Sequence, residues 1–366
     1  MKVGILGGGQ LARMMALAGH AIDVPTLVLE ESAECPAVRV TDVLVGGFEH
    51  RGDLERLAAA ASVVTYEFEN VPVEAARYLA QRVPVYPPPM ALETAQDRFI
   101  EKTTFRSLDI PTPEFATVDS LADLEAAVGR IGLPAVLKTR RLGYDGKGQR
   151  VIRTAADVPA AWQALGSAPL ILEQFIPFDR EVAIIAVRGI DGGHAFYPLV
   201  ETRHESGILS VSIAPEPRWS AKLQADAEAY ATRLLDHLEY VGVLALELFE
   251  HDGRLLGNEF APRVHNSGHW TIDGAETSQF ENHLRAVLNL PLGSTAAIGC
   301  SAMVNLIGAI PTLSTLLAVP HARVHLYGKR PRPGRKVGHV TVRADDMDTL
   351  QTRLEQVRGI VANVLG

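Results

Sequence analysis

The first twenty residues read MKVGILGGGQLARMMALAGH. A short apolar strand, Lys2 to Leu6, runs into Gly7, Gly8 and Gly9, and the apolar spacing from Leu11 onward predicts a helix. A strand that turns on glycine straight into a helix fits few architectures: it opens a βαβ unit, so a parallel sheet is expected. The spacing Gly7-x-Gly9-x-x-Ala12 matches the dinucleotide-binding fingerprint, and Glu30 closes the run TLVLE where that fingerprint expects an acid. Taken alone, the stretch points to an NAD-dependent oxidoreductase.

The alternation continues to about residue 95: TLVLE, a helix around RGDLERLAAAA, then SVVTYEF. It predicts a parallel sheet covered by helices on both faces. YPPPM ends this block, since proline suits neither a helix interior nor a central strand, and one helix is expected over ALETAQDRFIEKTTFRSL. From about 115 the pattern changes to short strands with few helices between them: PAVLK, RVIR, LILEQF, EVAIIAV, AFYPLV and ILSVSI, an antiparallel α+β region. A helix over AKLQADAEAYATRLLDHL precedes the strand pair GVLALELFE and RLLGNEF; further strands, the basic loop YGKRPRPGRKVGH and a terminal helix follow.

At 366 residues, two or three domains are expected. The net charge of -8 argues against a protein that binds nucleic acid by neutralising phosphates, although local basic patches suit a small phosphorylated ligand. Cys35 and Cys300 have no partners at metal-ligand spacing and are expected to be reduced thiols. The chain begins on a strand, without the pattern of a secretory leader, and its most apolar windows are too short to span a bilayer; a cytoplasmic enzyme is expected.

Three features do not belong to an oxidoreductase. The first is LKTRRLGYDGKGQRVIR, a loop between two strands that holds Gly143, Gly146 and Gly148 with Arg140, Arg141 and Lys147. It reads either as a solvated hairpin tip or as a phosphate cradle, in which curled backbone N–H groups face an anion and cations supply counter-charge. Lys138, closing the apolar strand beside it, favours the cradle.

The second is the pair Glu247 and Glu259. Glu247 interrupts the apolar strand VLALELF, where a lone carboxylate is costly to bury. A three-residue turn, His251 to Gly253, would put Glu247 opposite Gly257 and Glu259 diagonally beside it on the same face, at roughly 7 Å. Such a pair suits Mg²⁺. A two-residue Asp252-Gly253 turn would instead put the two carboxylates on opposite faces.

The third is NEFAPRVHNSGHW, residues 258–270, too dense in donors and acceptors for a simple capped loop and better suited to a ligand-filled cleft. His265 and His269 have helical spacing, but Ser267-Gly268 between them argues against a helix and against zinc. No hydrolytic nucleophile is evident.

Together, GGGQLARM, YEFENV, GYDGKGQ, LELF, NEFAPRVHNSGHWT, YGK and RPGRKVGH resemble the ATP-grasp superfamily and, within it, the N(5)-carboxyaminoimidazole ribonucleotide synthetases, from residue 1 to about 343. The resemblance implies an ATP-grasp fold of mixed α/β and α+β class. It comprises a Rossmann-like pre-ATP-grasp domain (1–95), an ATP-grasp domain (96–295, with about 115–175 covering ATP and the rest carrying the metal) and a small β-rich C-terminal domain (296–366). It implies a ligase of purine biosynthesis that uses ATP and bicarbonate, through carboxyphosphate, to carboxylate 5-aminoimidazole ribonucleotide, releasing ADP and phosphate. A homodimer and a downstream mutase as functional partner are also implied, with no nucleic acid or membrane.

The resemblance further implies Mg²⁺ on Glu247, Glu259 and Asn258. ATP would be met by Arg98, Lys138, the loop Gly143, Tyr144, Asp145, Gly146, Lys147, Gly148 and Gln149, the strand edge Glu173, Gln174, Phe175 and Ile176, and Glu181, His204, Asn258 and Glu259. The ribonucleotide would be met by Gly8, Gly9, Gln10, Leu11, Glu67, Tyr144, Asp145, Lys147, Lys329 and Arg335, with an anion at the glycine turn. Bicarbonate and carboxyphosphate would be met by Arg263, His265, Asn266 and His269. Lys147 stands where the family's loop often has arginine, keeping the charge without the two-pronged geometry. The competing readings are a sister ligase such as the formate-dependent glycinamide ribonucleotide transformylase, a nucleotide-binding regulator and, more distantly, the oxidoreductase.

Overall fold

The computed structural model describes residues 1–143 and 146–365, so that Tyr144 and Asp145 lie outside the described residues. The first sheet is parallel, in the order β3-β2-β1-β4: β1 (Val3–Leu6), β2 (Thr26–Glu30), β3 (Asp42–Val45) and β4 (Val63–Tyr66). Every residue of β1 and β4 is buried, as a parallel strand with helices on both faces requires. Those helices are α1 (Gln10–Ala21), α2 (Arg51–Ala60) and α3 (Val73–Ala80).

The helix expected over residues 91–108 is two helices, α4 (Pro89–Ala95) and α5 (Arg98–Ser107). The break is at Asp97, whose extended backbone stops α4 and whose side chain caps α5 by accepting from the Phe99 N–H at 3.0 Å.

The second sheet is antiparallel, in the order β5-β8-β6-β7: β5 (Phe115–Val118), β6 (Ala135–Thr139), β7 (Gln149–Ile152) and β8 (Leu170–Gln174). Two helices that strand patterning passes over, α6 (Leu121–Ile131) and α7 (Val158–Leu165), pack on it. The overlooked signal for α6 is Ser120, which caps it by accepting from the Asp123 N–H at 3.1 Å.

The third sheet contains β9 (Arg180–Arg188), β10 (His194–Phe196), β11 (Val200–Glu205), β12 (Ile208–Ala214), β13 (Gly242–His251), β14 (Arg254–Ala261), β15 (Cys300–Ile307), β16 (Arg323–Leu326) and β17 (Lys336–Ala344). Its order is β14-β13-β9-β11-β12-β15-β17-β16, with β10 paired to β9. The pairing of β12 with β15 makes the C-terminal strands a continuation of this sheet. Its helices are α8 (Ala221–His237), α9 (Thr271–Gly274), α10 (Gln279–Val287), α11 (Leu313–Leu317) and α12 (Met347–Leu365).

α10 is buried on nearly every side because it lies between the first and third sheets. Its His283 accepts the Val243 N–H at 3.1 Å and donates to Thr65 Oγ1 on β4 at 2.8 Å. Among the described residues no helix is long and apolar enough to cross a membrane.

Candidate active site

A cleft of about 800 Å³ opens where the three sheets meet. Its floor is the hairpin of β13 and β14. The turn is the two-residue Asp252-Gly253, both with left-handed φ (50° and 68°), and His251 faces Arg254. The three-residue turn is therefore corrected, and the two-residue one alone would send Glu247 and Glu259 to opposite faces. A β-bulge prevents that. Leu248 faces Gly257 and Glu247 faces Glu259, leaving Asn258 as the extra residue on β14. The carboxylates are thus directly opposed, closer than the expected diagonal.

Burial, and then the charge of Glu259, push the Glu247 carboxyl up to about 7. Burial acts the same way on Glu259, but Arg98, whose Nη1 lies 2.7 Å from Glu259 Oε2, holds it below the usual range. Asn258 Oδ1 is buried without a hydrogen-bond partner. Two opposed carboxylates and an orphaned amide oxygen form an all-oxygen donor set that fits a hard divalent cation.

Cations face this floor from the second sheet. Lys138, at the end of β6, donates to Glu173 Oε2 at 3.0 Å, and Lys102 of α5 lies 3.5 Å from the same oxygen. Burial alone would raise Glu173; Lys102, Lys138 and Arg98 instead hold it at about 2. The loop after β6 curls at Gly146 and Gly148, with φ of 74° and 71°. A Cβ on Gly148 would meet Thr139 Oγ1 at 2.6 Å. Gly143, Gly146, Lys147 and Gln149 line the cleft, whereas Gly148 does not. Arg140 and Arg141, expected as counter-charge for a ligand, are engaged by Asp97, Arg140 through two bonds of 3.0 and 2.8 Å. They tie the loop's base to α5.

Farther along, Gln174, Phe175 and Ile176 line the wall together with Glu173. Glu181 and His204 are paired at 2.7 Å, and although burial works against it, Glu181 raises the His204 pKa. Phe178 and Phe249 stack at 4.8 Å between ring centroids, giving this end of the cleft an apolar flank.

The glycine turn departs from expectation. The Glu67 carboxylate accepts from the N–H groups of Gly9, Leu11 (3.1 Å) and Ala12 (3.0 Å), and Glu30 Oε2 accepts from Gly8 N–H at 2.8 Å. The acceptor at this helix start is therefore the protein's own Glu67, whose pKa burial raises in spite of these bonds. Gly8 and Gly9 leave room for neighbours: added Cβ atoms would meet Cys35 Sγ at 2.6 Å and Glu67 Oε1 at 2.3 Å. Gln10, Leu11 and Glu67 line the cleft, and Gly8 and Gly9 do not.

Lys329, in the basic loop before β17, donates to the Gln10 side chain. Burial lowers its pKa to about 8, against the pull of Glu67 and with help from Arg335 and Lys336. Lys329 and Arg335 are both half-buried in this loop and outside the cleft lining.

Beyond β14, Arg263 pairs with Glu69 at 2.5 Å. His265 Nδ1 accepts from Ser267 N–H at 3.3 Å, so its Nε2–H faces Glu247 Oε1 at 3.1 Å as a donor. Burial, followed by Arg263 and Lys336, keeps this ring neutral. Asn266 and Asn305 exchange side-chain hydrogen bonds of 3.1 and 2.6 Å. His269 is separated from the group: it is wholly buried against Phe280, Tyr327 and His339, away from the cleft. The backbone turns helical after His265, carrying the next histidine into the core.

Sequence reasoning missed Glu69, Glu101, Lys102 and Lys336. Glu69 and Lys336 stand in the motifs YEFENV and RPGRKVGH, beside residues already singled out. Glu101 and Lys102 carry no comparable signal, because only the packing of α5 on β14 brings them to the site.

Three domain-family models match the chain: the ribonucleotide synthetase preATP-grasp domain over residues 1–96, the ATP-grasp domain over 103–280 and the phosphoribosylaminoimidazole carboxylase C-terminal domain over 301–353. The N5-carboxyaminoimidazole ribonucleotide synthase of Pseudomonas aeruginosa is 53% identical over 361 residues, covering 99% of each chain. The crystal structure of N5-carboxyaminoimidazole ribonucleotide synthetase from Thermus thermophilus matches with a TM-score of 0.95 at 57% identity, over 98% of both chains. That of the synthase from Aspergillus clavatus, in complex with ADP and 5-aminoimidazole ribonucleotide, matches with a TM-score of 0.93 at 33% identity, over 99% of this chain and 98% of that one. With these three domain models and more than half of its residues identical over nearly its whole length, the chain belongs to the N5-carboxyaminoimidazole ribonucleotide synthase family of ATP-grasp ligases.

Proposed function

We propose that the cleft carboxylates 5-aminoimidazole ribonucleotide with ATP and bicarbonate, through carboxyphosphate, in purine biosynthesis. The observation that carries this reading is the continuity of one cavity. It runs from Lys138 and Lys147 past Glu247, Asn258 and Glu259 to Arg263, His265 and Lys336, and on to Gln10 and Leu11. A phosphoryl donor, a metal, a small anion and a ribonucleotide can therefore meet within it.

Lys138, Arg98, Lys147 and the Gly143–Gln149 loop would bind the phosphates, where catalysis needs positioning and electrostatic stabilisation. Gln174 to Ile176 would read the base, and Glu181, oriented by His204, the ribose hydroxyls. Glu247, Glu259 and Asn258 Oδ1 would hold Mg²⁺, which when bound spreads the charge of the transferring phosphoryl group. Bicarbonate would lie against Arg263, Lys336 and the donor Nε2–H of His265. Its oxygen takes the γ-phosphoryl group, releasing ADP. The exocyclic amine then takes up the carboxyl carbon, losing one proton as phosphate departs. Gln10 and Leu11 would position the ribonucleotide, with Lys329 and Arg335 on its phosphate. Gly8, Gly9 and Glu67 shape that wall instead of offering free donors to the ligand.

The test is ADP release that requires Mg²⁺, bicarbonate and 5-aminoimidazole ribonucleotide together. Release driven by formate and glycinamide ribonucleotide would move the reading to the sister ligase. Tight NADH binding without ATP turnover would overturn both.

A further inference from the structure

The pairing of Glu247 with Glu259 depends on the bulge at Asn258, and nothing within the hairpin supplies it. β14 is an edge strand, so its outward backbone groups need partners from elsewhere. In a regular antiparallel strand the outward groups recur every second residue. Here they belong to Gly257 and Phe260, three apart, a spacing that exists only with an extra residue between them.

Consecutive residues of α5 meet one group of each. The Lys102 ammonium donates to Gly257 C=O at 3.1 Å, and Glu101 Oε1 accepts from Phe260 N–H at 2.7 Å. Gly257 N–H donates to Pro111 C=O at 2.7 Å. A Cβ at Gly257 would stand 3.0 Å from the Phe105 ring, so α5 lies hard against the bulge. Lys102 is wholly buried and Glu101 nearly so. Lys102 also lies 3.5 Å from Glu173, the carboxylate that accepts from Lys138, and so joins the bulge to the phosphate side.

We propose that Glu101 and Lys102 are positioning residues that hold the β14 bulge in register and thereby build the divalent-cation site without being among its ligands. The inference rests on the reading of Glu247, Asn258 and Glu259 as the cation site. Without these two contacts the strand relaxes toward the unbulged pairing, in which Glu259 turns away from Glu247.

The test is Mn²⁺ binding to the full chain in the presence of ADP, followed by electron paramagnetic resonance, with folding checked by circular dichroism and thermal melting. Lys102→Met and Glu101→Leu are expected to raise the Mn²⁺ Kd roughly 10- to 100-fold, the range for partners one step removed from a metal. Glu101→Gln, which keeps an acceptor for Phe260 N–H, is expected to recover most of that loss. Glu259→Gln is the reference for the site itself. Folded Lys102→Met and Glu101→Leu proteins with parental Mn²⁺ affinity, beside a Glu259→Gln protein that has lost it, would overturn the positioning role alone. Retention of binding by Glu259→Gln would overturn the metal reading and this inference with it. If Lys102→Met does not fold, the contrast between Leu and Gln at position 101 decides.

Discussion

Thr65 on β4 and His283 on α10 are hydrogen-bonded at 2.8 Å although 218 residues separate them. Because His283 Nδ1 accepts from Val243 N–H, the ring joins the first sheet to the third only while it is neutral. Burial lowers its pKa to about 4. Between pH 6.5 and 4 the unfolded chain binds a proton that the folded chain refuses, so stability falls as the pH falls through that window. This ring alone accounts for up to roughly 3 kcal/mol. His265, His269 and His339, also held neutral by burial, act in the same direction. Urea midpoints measured at pH 7.5 and 5 are expected to differ less for His283→Gln than for the parent. An equal drop in both would assign the acid sensitivity to other groups.

Glu259→Gln removes one of two opposed carboxylates. ADP release is expected to fall at least about 100-fold, since a catalytic divalent ion supplies several kcal/mol to phosphoryl transfer. The protein should stay folded but melt no higher than the parent, because relief of the Glu247 repulsion is offset by the loss of the Arg98 partner. Near-parental turnover would contradict the metal assignment.

Gly9→Ala forces a Cβ to within 2.3 Å of Glu67 Oε1. The carboxylate must withdraw from the start of α1, at an expected cost of about 1–3 kcal/mol in buried hydrogen bonds. Chemical denaturation measures it. The KM for the ribonucleotide should rise as well, because Gln10 and Leu11 follow directly on the turn. An unchanged unfolding curve would show that Glu67 does not hold the turn.

Lys329 loses its charge as the pH rises through about 8. A ribonucleotide phosphate is already a dianion there, with a second pKa of about 6, so the KM for 5-aminoimidazole ribonucleotide is expected to climb between pH 7.5 and 9.5. Lys329→Arg stays protonated over that range and should give a flatter profile. Parallel profiles for the two proteins would place the titration elsewhere.

Much of the fold is legible along the chain because its signals are local. Glycine after an apolar strand marks the first βα unit, strand–helix alternation the parallel sheet, and short strands between turn residues the antiparallel ones. Among the helices the strand patterning passes over, α7 is short and α10 is buried on most sides, whereas α6 carries a readable stripe, Leu121, Leu124, Val128 and Ile131, behind its Ser120 cap. At the cleft, Lys138 and Glu247 can be singled out as charges on apolar strands, and Asn258, Glu259, Arg263 and His265 by the density of polar groups in one short segment. His269, in the same dense segment, could not be told apart from His265 before the backbone turned it into the core.

By itself the sequence determined the kinds of elements, their order and the residues with chemistry to perform. Tertiary structure alone decided which of those residues face one another. The glycine turn could be read as an anion site, but Glu67, 58 residues beyond Gly9, takes up its donors. The Asp252-Gly253 turn by its parity separates Glu247 from Glu259, and the bulge reunites them. That bulge answers to hydrogen bonds from Glu101 and Lys102, more than 150 residues earlier in the chain. Strand parity is local and can be counted, whereas the partners of an edge strand's backbone are set by whatever packs beside it.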